Sequence, residues 1–191
     1  GSLTAKLAAK QPIKVAYFGG GIHPSSGWRA ELLKTLRDRY PGVEVSEIDA
    51  GICDCVRGSS FSTYRFGHDV LDKKPDLVLV DFASDDRDIA DQRSIWLSME
   101  GIVRQAWSVD PKVEFLFLYA FRDGYQGDYR EGMSPVVVSA YERVAEHYGI
   151  PSINLGVRVE KLERDGKLVV KATTEEAATL PGKIVFSSDG T

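Results

Sequence analysis

Residues 74–83 read Lys-Pro-Asp-Leu-Val-Leu-Val-Asp-Phe-Ala, and the pattern of this segment indicates the fold class. Pro75 forces the residue before it out of a helix. The four apolar residues that follow, Leu77–Val80, are typical of a central parallel strand covered on both faces. Such a strand needs helices on each side of its sheet, so strands and helices should alternate along the neighbouring chain.

The segments on both sides of this run show that alternation. Four further runs are predicted as strands: Ile13–Phe18, Val43–Ile48, Val113–Tyr119 and Ile150–Asn154. Apolar residues at helical spacing predict helices over Trp28–Tyr40, Thr63–Lys73, Ile95–Ala106 and Pro135–Tyr148. Right-handed crossovers between five strands predict an α/β protein, a flavodoxin-like three-layer α/β/α sandwich around a five-stranded parallel sheet. The functional site of such a fold lies at the carboxyl ends of its strands.

The size and composition of the chain indicate a single domain and give no sign of nucleic-acid binding or of a membrane span. The 191 residues suit a single domain, residues 3–191, with Gly1-Ser2 interpreted as a cloning scar. A formal net charge of −4 gives no reason to expect nucleic acid as a partner. No apolar stretch approaches the roughly 20 residues of a membrane span. Localisation is not readable, because a native signal peptide could have been removed.

The two cysteines do not indicate a disulfide or a metal site. Cys53 and Cys55 are separated by one residue, a spacing that rarely meets disulfide geometry without strain. Zinc needs four ligands, and no Cys-rich or His-rich segment accompanies this pair. We therefore expect free thiols, and we expect neither a bound metal nor a cofactor.

Five segments of the chain match, in order and spacing, the sequence blocks of the SGNH (GDSL-type) hydrolases, and the chain resembles that family over nearly its whole length. The matching segments are residues 15–22 with 27–29, 49–52, 74–83, 147–151 and 186–191. The family hydrolyses esters with a serine nucleophile, a histidine base and an aspartate that orients the histidine. Backbone N–H groups and an asparagine amide stabilise the oxyanion.

The resemblance places substitutions at the positions that carry this chemistry. The nucleophile position falls on Gly21, which has no hydroxyl group. The oxyanion glycine falls on Asp54, which keeps a backbone N–H but places a carboxylate where it would repel a developing oxyanion. The oxyanion asparagine falls on Asp85, and an ionised aspartate side chain donates no hydrogen bond. The triad aspartate is kept as Asp189, but the histidine expected directly after Thr191 is not in the sequence. The resemblance thus implies a degenerate member that lacks its His-bearing C-terminal segment.

Other residues near the predicted site are candidates for ligand binding. His23 lies in the loop after the first strand, and Ser25 and Ser26 could act as shifted nucleophiles or cap the following helix. Asp86 could join Asp54, Asp85, Asp88 and Asp189 in an acidic pocket, although solvated loop aspartates are the simpler interpretation. Aromatic residues in and after the fourth strand could stack on sugar rings or pack a loop: Tyr119, Phe121, Tyr125 and Tyr129. Residues 122–132 are predicted to form a mobile loop that shapes one wall of the cleft.

The sequence leaves more than one function open. The first hypothesis is an SGNH-like domain without esterase activity that acts as a structural module or binds a small molecule or glycan. The second is an active carbohydrate esterase or acylhydrolase that uses a nearby serine. The third is an inactivated or shortened form of such an enzyme. Relatives continue into a closing helix, so its loss would leave one face of the sheet open, and we expect a homo-oligomer or a partner subunit there.

Overall fold

The computed structural model describes residues 2–20, 27–52, 58–86 and 91–187. Seven strands are formed in this part of the chain: β1 Ile13–Gly19, β2 Val45–Asp49, β3 Leu77–Asp81, β4 Glu114–Tyr119, β5 Ser152–Asn154, β6 Leu168–Lys171 and β7 Ile184–Ser187. The helices of the same part are α1 Ser2–Ala8, α2 Trp28–Arg39, α3 Gly58–Asp69, α4 Gln92–Val109, α5 Gln126–Arg130, α6 Val136–Tyr148, α7 Leu155–Arg164 and α8 Thr174–Ala178.

The main sheet confirms the predicted five-stranded parallel architecture. Its strand order is β2-β1-β3-β4-β5, and every pairing is parallel. The run Leu77–Val80 lies in β3 at the centre of the sheet, with Val15 opposite Leu77 on one side and Glu114 opposite Leu77 on the other. Both faces of β3 are covered, which explains why its sequence is continuously apolar instead of alternating.

Alternate residues of the strands supply two hydrophobic cores, one on each face of the sheet. Phe18, Val80 and Phe117 face the larger core, which packs against α3, α4 and α6. Tyr17 and Leu79 face the smaller core, which packs against α1 and α2. The smaller core covers mainly β1 and β3, because α2 crosses that side of the sheet, and the next described helix on that side, α7, contacts β4 at a distance from α2. This asymmetry leaves a groove on one face.

The C-terminal part of the chain differs from the expectation drawn from the sequence. The sequence predicts a small excursion around Asp165-Gly166 and a loop near Pro181-Gly182, and the structure has turns at both places. The helix α7 and a second, two-stranded parallel sheet of β6 and β7, joined through α8, were not predicted. A capping box at Thr173 and Glu176 begins α8, a sequence signal for a helix start that the pattern of apolar residues does not reveal.

The segment 122–132 is also more ordered than predicted, since it contains α5. Tyr125 and Tyr129 on this segment are buried, so the prediction of a mobile loop is wrong for this part of the chain.

None of the described helices has the length and apolar character that crossing a bilayer requires.

Candidate functional site

The carboxyl end of β1 approaches the end of β3 so closely that only glycine fits there. A Cβ atom added at Gly19 would lie 2.0 Å from the carbonyl oxygen of Asp81. A Cβ atom added at Gly20 would lie 2.1 Å from Oδ1 of Asp85. The side chain of Asp85 therefore rests directly on the backbone at Gly20, one residue before the predicted nucleophile position. The loop that follows the matching residues 74–83 therefore lies against Gly20, within the matching residues 15–22.

A second carboxyl group, Asp81, lies at the same edge of the sheet. Asp81 ends β3 and is 4% exposed, and its Oδ1 accepts a hydrogen bond from the N–H of Ala83 at 3.2 Å. Burial raises the pKa of Asp81 to about 7, and the negative charge of Asp85 contributes to this rise. Near neutral pH this edge of the sheet therefore holds two carboxyl groups, one of which binds a proton far more readily than an ordinary aspartate does.

Asp86, predicted as a ligand-binding candidate, is turned into the protein. Its Oδ1 accepts a hydrogen bond from the N–H of Ser59 at 2.9 Å, and its Oδ2 accepts one from the Ser59 hydroxyl at 2.5 Å. The hydroxyl of Tyr141 on α6 also donates to Oδ2. Asp86 is fully buried, so it is not a solvated loop aspartate. Its carboxylate instead accepts hydrogen bonds that join the loop after β3 to α3 and α6.

These contacts of Asp86 fix the start of α3. Ser59 lies in the first turn of that helix, where backbone N–H groups lack partners within the helix and a carboxylate is favoured. Gly58 adopts a φ of +56°, and a Cβ atom there would lie 1.7 Å from Oδ1 of Asp86. The loop after β3 and the beginning of α3 are therefore held together.

The four aromatic residues considered for sugar stacking are all buried. They are Tyr119, Phe121, Tyr125 and Tyr129. The hydroxyl of Tyr125 donates to the carbonyl oxygen of Ala83 at 2.5 Å, and the hydroxyl of Tyr129 donates to Oδ1 of Asn154 at 2.8 Å. Of the two interpretations left open by the sequence, the structure supports loop packing, since these rings hold α5 against the ends of β3 and β5.

Trp28 packs against the sheet but is not fully covered. Its ring contacts Tyr17 edge-on, with 5.8 Å between the ring centroids. Yet it is 41% exposed at the beginning of α2, near the carboxyl edge of the sheet. Its ring therefore remains partly available to a ligand or to another protein surface.

Seven of the predicted site residues lie outside the described residues. They are Gly21, His23, Ser25, Ser26, Asp54, Asp88 and Asp189. Their roles stay predictions from the sequence. Among the described residues, Asp85 and Asp81 place two carboxyl groups next to each other at this edge of the sheet.

Sequence reasoning did not identify the side chains that support this site. Ser59 and Tyr141 carried no signal, because their hydrogen bonds join residues far apart in the chain. Tyr141 was predicted only as part of the apolar stripe of its helix. Asp81 could have been noticed, since a carboxylate that directly follows a continuous apolar strand is placed at the buried edge of a sheet.

Comparison of the fold with solved structures gives clear matches. A two-domain esterase active on acetylated mannans, crystallised with mannopentaose, matches with a TM-score of 0.69 and 21% identity. The match covers 86% of this chain but 43% of the esterase, so the chain spans less than half the length of that protein. The acetyl xylan esterase Axe2-W215I from Geobacillus stearothermophilus matches with a TM-score of 0.64 and 15% identity, over 80% of each chain.

A lipase/acylhydrolase from Enterococcus faecalis matches with a TM-score of 0.59 and 18% identity, over 77% of this chain and 78% of that one. No family model matches the sequence, and no curated protein matches it. The chain therefore has an SGNH hydrolase-like fold, as the resemblance implied. Identities at this level establish the fold, and function has to be argued from the site.

Proposed function

We propose that this chain is a catalytically silent SGNH-like domain that binds a glycan or another hydroxyl-rich small molecule at the carboxyl edge of its sheet. The observation that carries the proposal is the carboxylate of Asp85 resting on Gly20, with the buried carboxyl group of Asp81 beside it. Ester hydrolysis needs hydrogen-bond donors where the oxyanion develops. A carboxylate at that place repels negative charge instead of stabilising it.

The sequence supports the same conclusion independently of the geometry. Gly21 offers no hydroxyl group for attack on a carbonyl carbon. The changes at positions 21, 54 and 85 affect three different parts of the machinery, namely the nucleophile and two oxyanion groups. Loss of all three is expected when selection no longer maintains the reaction.

Carboxyl groups at a strand edge suit hydroxyl-rich ligands, because carboxylate oxygens accept hydrogen bonds from hydroxyl groups. The likeness to esterases whose substrates are acetylated polysaccharides makes a glycan the first ligand to test. The partly exposed ring of Trp28 at the same edge offers a surface for stacking on a sugar.

Two measurements test this proposal. Hydrolysis of p-nitrophenyl acetate by the purified chain should not exceed the rate in buffer alone. Thermal-shift titration with mannopentaose and xylopentaose should raise the melting temperature, and Asp85→Asn should reduce that rise. Asp38→Asn, which changes an exposed aspartate on α2, is the matched control and should leave the rise unchanged. Absence of any shift with the oligosaccharides or with divalent ions would leave a structural module as the function.

The second candidate is an active carbohydrate esterase or acylhydrolase, and the structural likeness to acetyl xylan esterases favours it. In that case Ser25 or Ser26 would have to replace the missing nucleophile. Turnover of p-nitrophenyl acetate that disappears in Ser25→Ala or in Ser26→Ala would establish this function and refute the silent domain. A third reading, an inactivated or shortened form of an enzyme, is tested by comparing position 21 and the residues after Thr191 with the natural gene.

The proposal for partners extends the expectation drawn from the sequence. A second copy or a partner subunit should cover the sheet face over β4 and β5.

A further inference from the structure

Asp81 lies where the carboxyl edge of the sheet meets the groove between α2 and α7. In the pairing of β1 with β3, Asp81 stands opposite Gly19, the residue before the glycine on which Asp85 rests. The side chain of Asp81 lies on the same face of β3 as that of Leu79, and both residues line the groove. Asp81 is nevertheless only 4% exposed. Its carboxyl group is therefore buried directly beside the edge that the proposed glycan site uses.

Asp81 has no cation to balance its charge in the part of the chain that the structure describes. None of the ion pairs formed there includes Asp81. Arg122, which follows β4, and Arg158 on α7 line the same groove without pairing with it. The backbone N–H groups of Ala83 and Ala120 donate hydrogen bonds to its carboxyl group. Such bonds do not replace the hydration that a buried carboxylate loses, so the charged form is disfavoured.

The other groups that face Asp81 do not favour its ionisation either. Asp85, from the loop after β3, adds a negative charge. Tyr141 on α6 is uncharged near neutral pH, since burial raises its pKa well above the usual value. Gly20 after β1 and Trp28 on α2 carry no charge. Burial and the charge of Asp85 together raise the pKa of Asp81 to about 7, so Asp81 gains or loses its proton near neutral pH.

The protonation state of Asp81 changes what this edge offers to a ligand. With its proton, Asp81 carries an O–H group beside the acceptor oxygens of Asp85, so a donor lies next to acceptors. A sugar hydroxyl group both donates and accepts hydrogen bonds, which matches that combination. Without the proton, the two carboxylates offer acceptors alone and repel each other. A ligand that covers the edge also displaces the water that still reaches Asp81, which favours its neutral form further.

We propose that binding of a hydroxyl-rich ligand at the carboxyl edge of the sheet is coupled to protonation of Asp81, so that the site binds its ligand when Asp81 is neutral and releases it when Asp81 ionises. This inference rests on the proposed glycan function and names the regulation of that site. The ligand raises the pKa of Asp81 further, so affinity is full well below pH 7 and falls as the pH rises through about 7.

Isothermal titration calorimetry with mannopentaose and with xylopentaose at pH 5.5 and at pH 8.5 tests the coupling. The dissociation constant of the wild type should rise about tenfold to thirtyfold between the two pH values, because each ligand bound above pH 7 requires a proton to be taken up. In Asp81→Asn, which cannot titrate, the dissociation constants at the two pH values should agree within about twofold. Asp38→Asn changes an exposed aspartate on α2 and should keep the full pH dependence. Circular dichroism at both pH values verifies that each variant is folded.

The number of protons taken up gives a second readout, which a merely structural role of Asp81 would not produce. Calorimetry at pH 7.0 in two buffers of different ionisation enthalpy measures this number. Binding to the wild type should take up about half a proton per ligand, because about half of the unliganded molecules have already lost it. Binding to Asp81→Asn should take up none.

Three results would overturn the coupling. Equal dissociation constants of the wild type at pH 5.5 and at pH 8.5 would do so, as would a pH dependence that survives Asp81→Asn. A pH dependence that His23→Gln abolishes would assign the proton to the histidine of the predicted site loop. Absence of binding at both pH values would overturn this inference together with the proposed glycan function, whereas binding that is independent of pH would overturn this inference alone.

Discussion

Replacement of Asp81 by asparagine tests the electrostatics of the strand-end site directly. Asparagine has nearly the shape of a protonated aspartate and keeps an oxygen that can accept the hydrogen bond from Ala83. It removes the negative charge that burial disfavours. The substitution should therefore stabilise the protein at pH values where Asp81 is ionised, and it should have little effect where Asp81 is protonated in both the folded and the unfolded chain.

The size of the effect follows from the two pKa values of Asp81. The pKa is about 7 in the folded protein, compared with an ordinary value of 3.8. The folded state binds the proton more tightly than the unfolded chain, so the stability contribution is fully present below pH 3.8 and is lost as the pH rises to about 7. A difference of about 3 between the pKa values corresponds to about 4 kcal/mol. We expect Asp81→Asn to gain roughly 2 to 4 kcal/mol at pH 8 and less than half of that at pH 5.

Urea denaturation of the wild type and of Asp81→Asn at pH 5 and at pH 8 measures this difference. Asp38→Asn is the control, because an exposed aspartate should change the free energy of unfolding equally at both pH values. The reasoning is refuted if the gain for Asp81→Asn is the same at pH 5 and at pH 8, or if the substitution destabilises the protein at pH 8.

Three further changes test the supports of the site, each by urea denaturation. Asp86→Ala removes a buried hydrogen-bond acceptor and should lower the free energy of unfolding by about 3 kcal/mol, whereas Tyr141→Phe should lower it by about 1 to 2 kcal/mol. If neither substitution changes the free energy of unfolding, Asp86 does not hold the beginning of α3 in place. Gly20→Ala should destabilise the protein by about 1 to 3 kcal/mol, and adding Asp85→Ala should recover part of this loss. If the effects of the two substitutions simply add, residues 20 and 85 are not in contact. Tyr125→Phe should cost about 1 kcal/mol, and no loss would show that its hydrogen bond contributes nothing.

The strands were predictable because their signal is local. Leu77–Val80 is continuously apolar, and a strand of this kind is stable only when helices cover both faces of a parallel sheet. The structure places it as β3, between β1 and β4. The helix Val136–Tyr148 was equally readable, since its apolar residues recur at helical spacing and Gly149 ends it with a φ of +64°.

The short elements that follow β4 were not predictable in the same way. The helix α5 has five residues, too few to be stable by itself. Its place is secured by the buried rings of Tyr125 and Tyr129 and by their hydrogen bonds to distant residues. The pairing of β6 with β7 likewise joins two four-residue strands whose partner cannot be inferred from either one alone.

Two neighbouring aspartates show most clearly what could not be predicted from the sequence. Asp85 and Asp86 are adjacent in the sequence and were both considered as members of one acidic pocket. The fold separates them: Asp85 rests on the backbone at Gly20, whereas Asp86 is enclosed by Ser59 and Tyr141. No local pattern distinguishes the two, since the difference depends on elements that meet only after folding.

Three properties can be read from the amino-acid sequence: the alternation of strands and helices, the resemblance to the SGNH hydrolases and the absence of a hydroxyl group at position 21. These properties depend on local spacing and on the identity of single residues. Three others appear only in the folded chain: the pKa of Asp81 is raised to about 7, Asp86 accepts hydrogen bonds at the beginning of α3, and a groove lies open between α2 and α7. Burial and long-range contacts cause all three, and both arise when distant segments pack together.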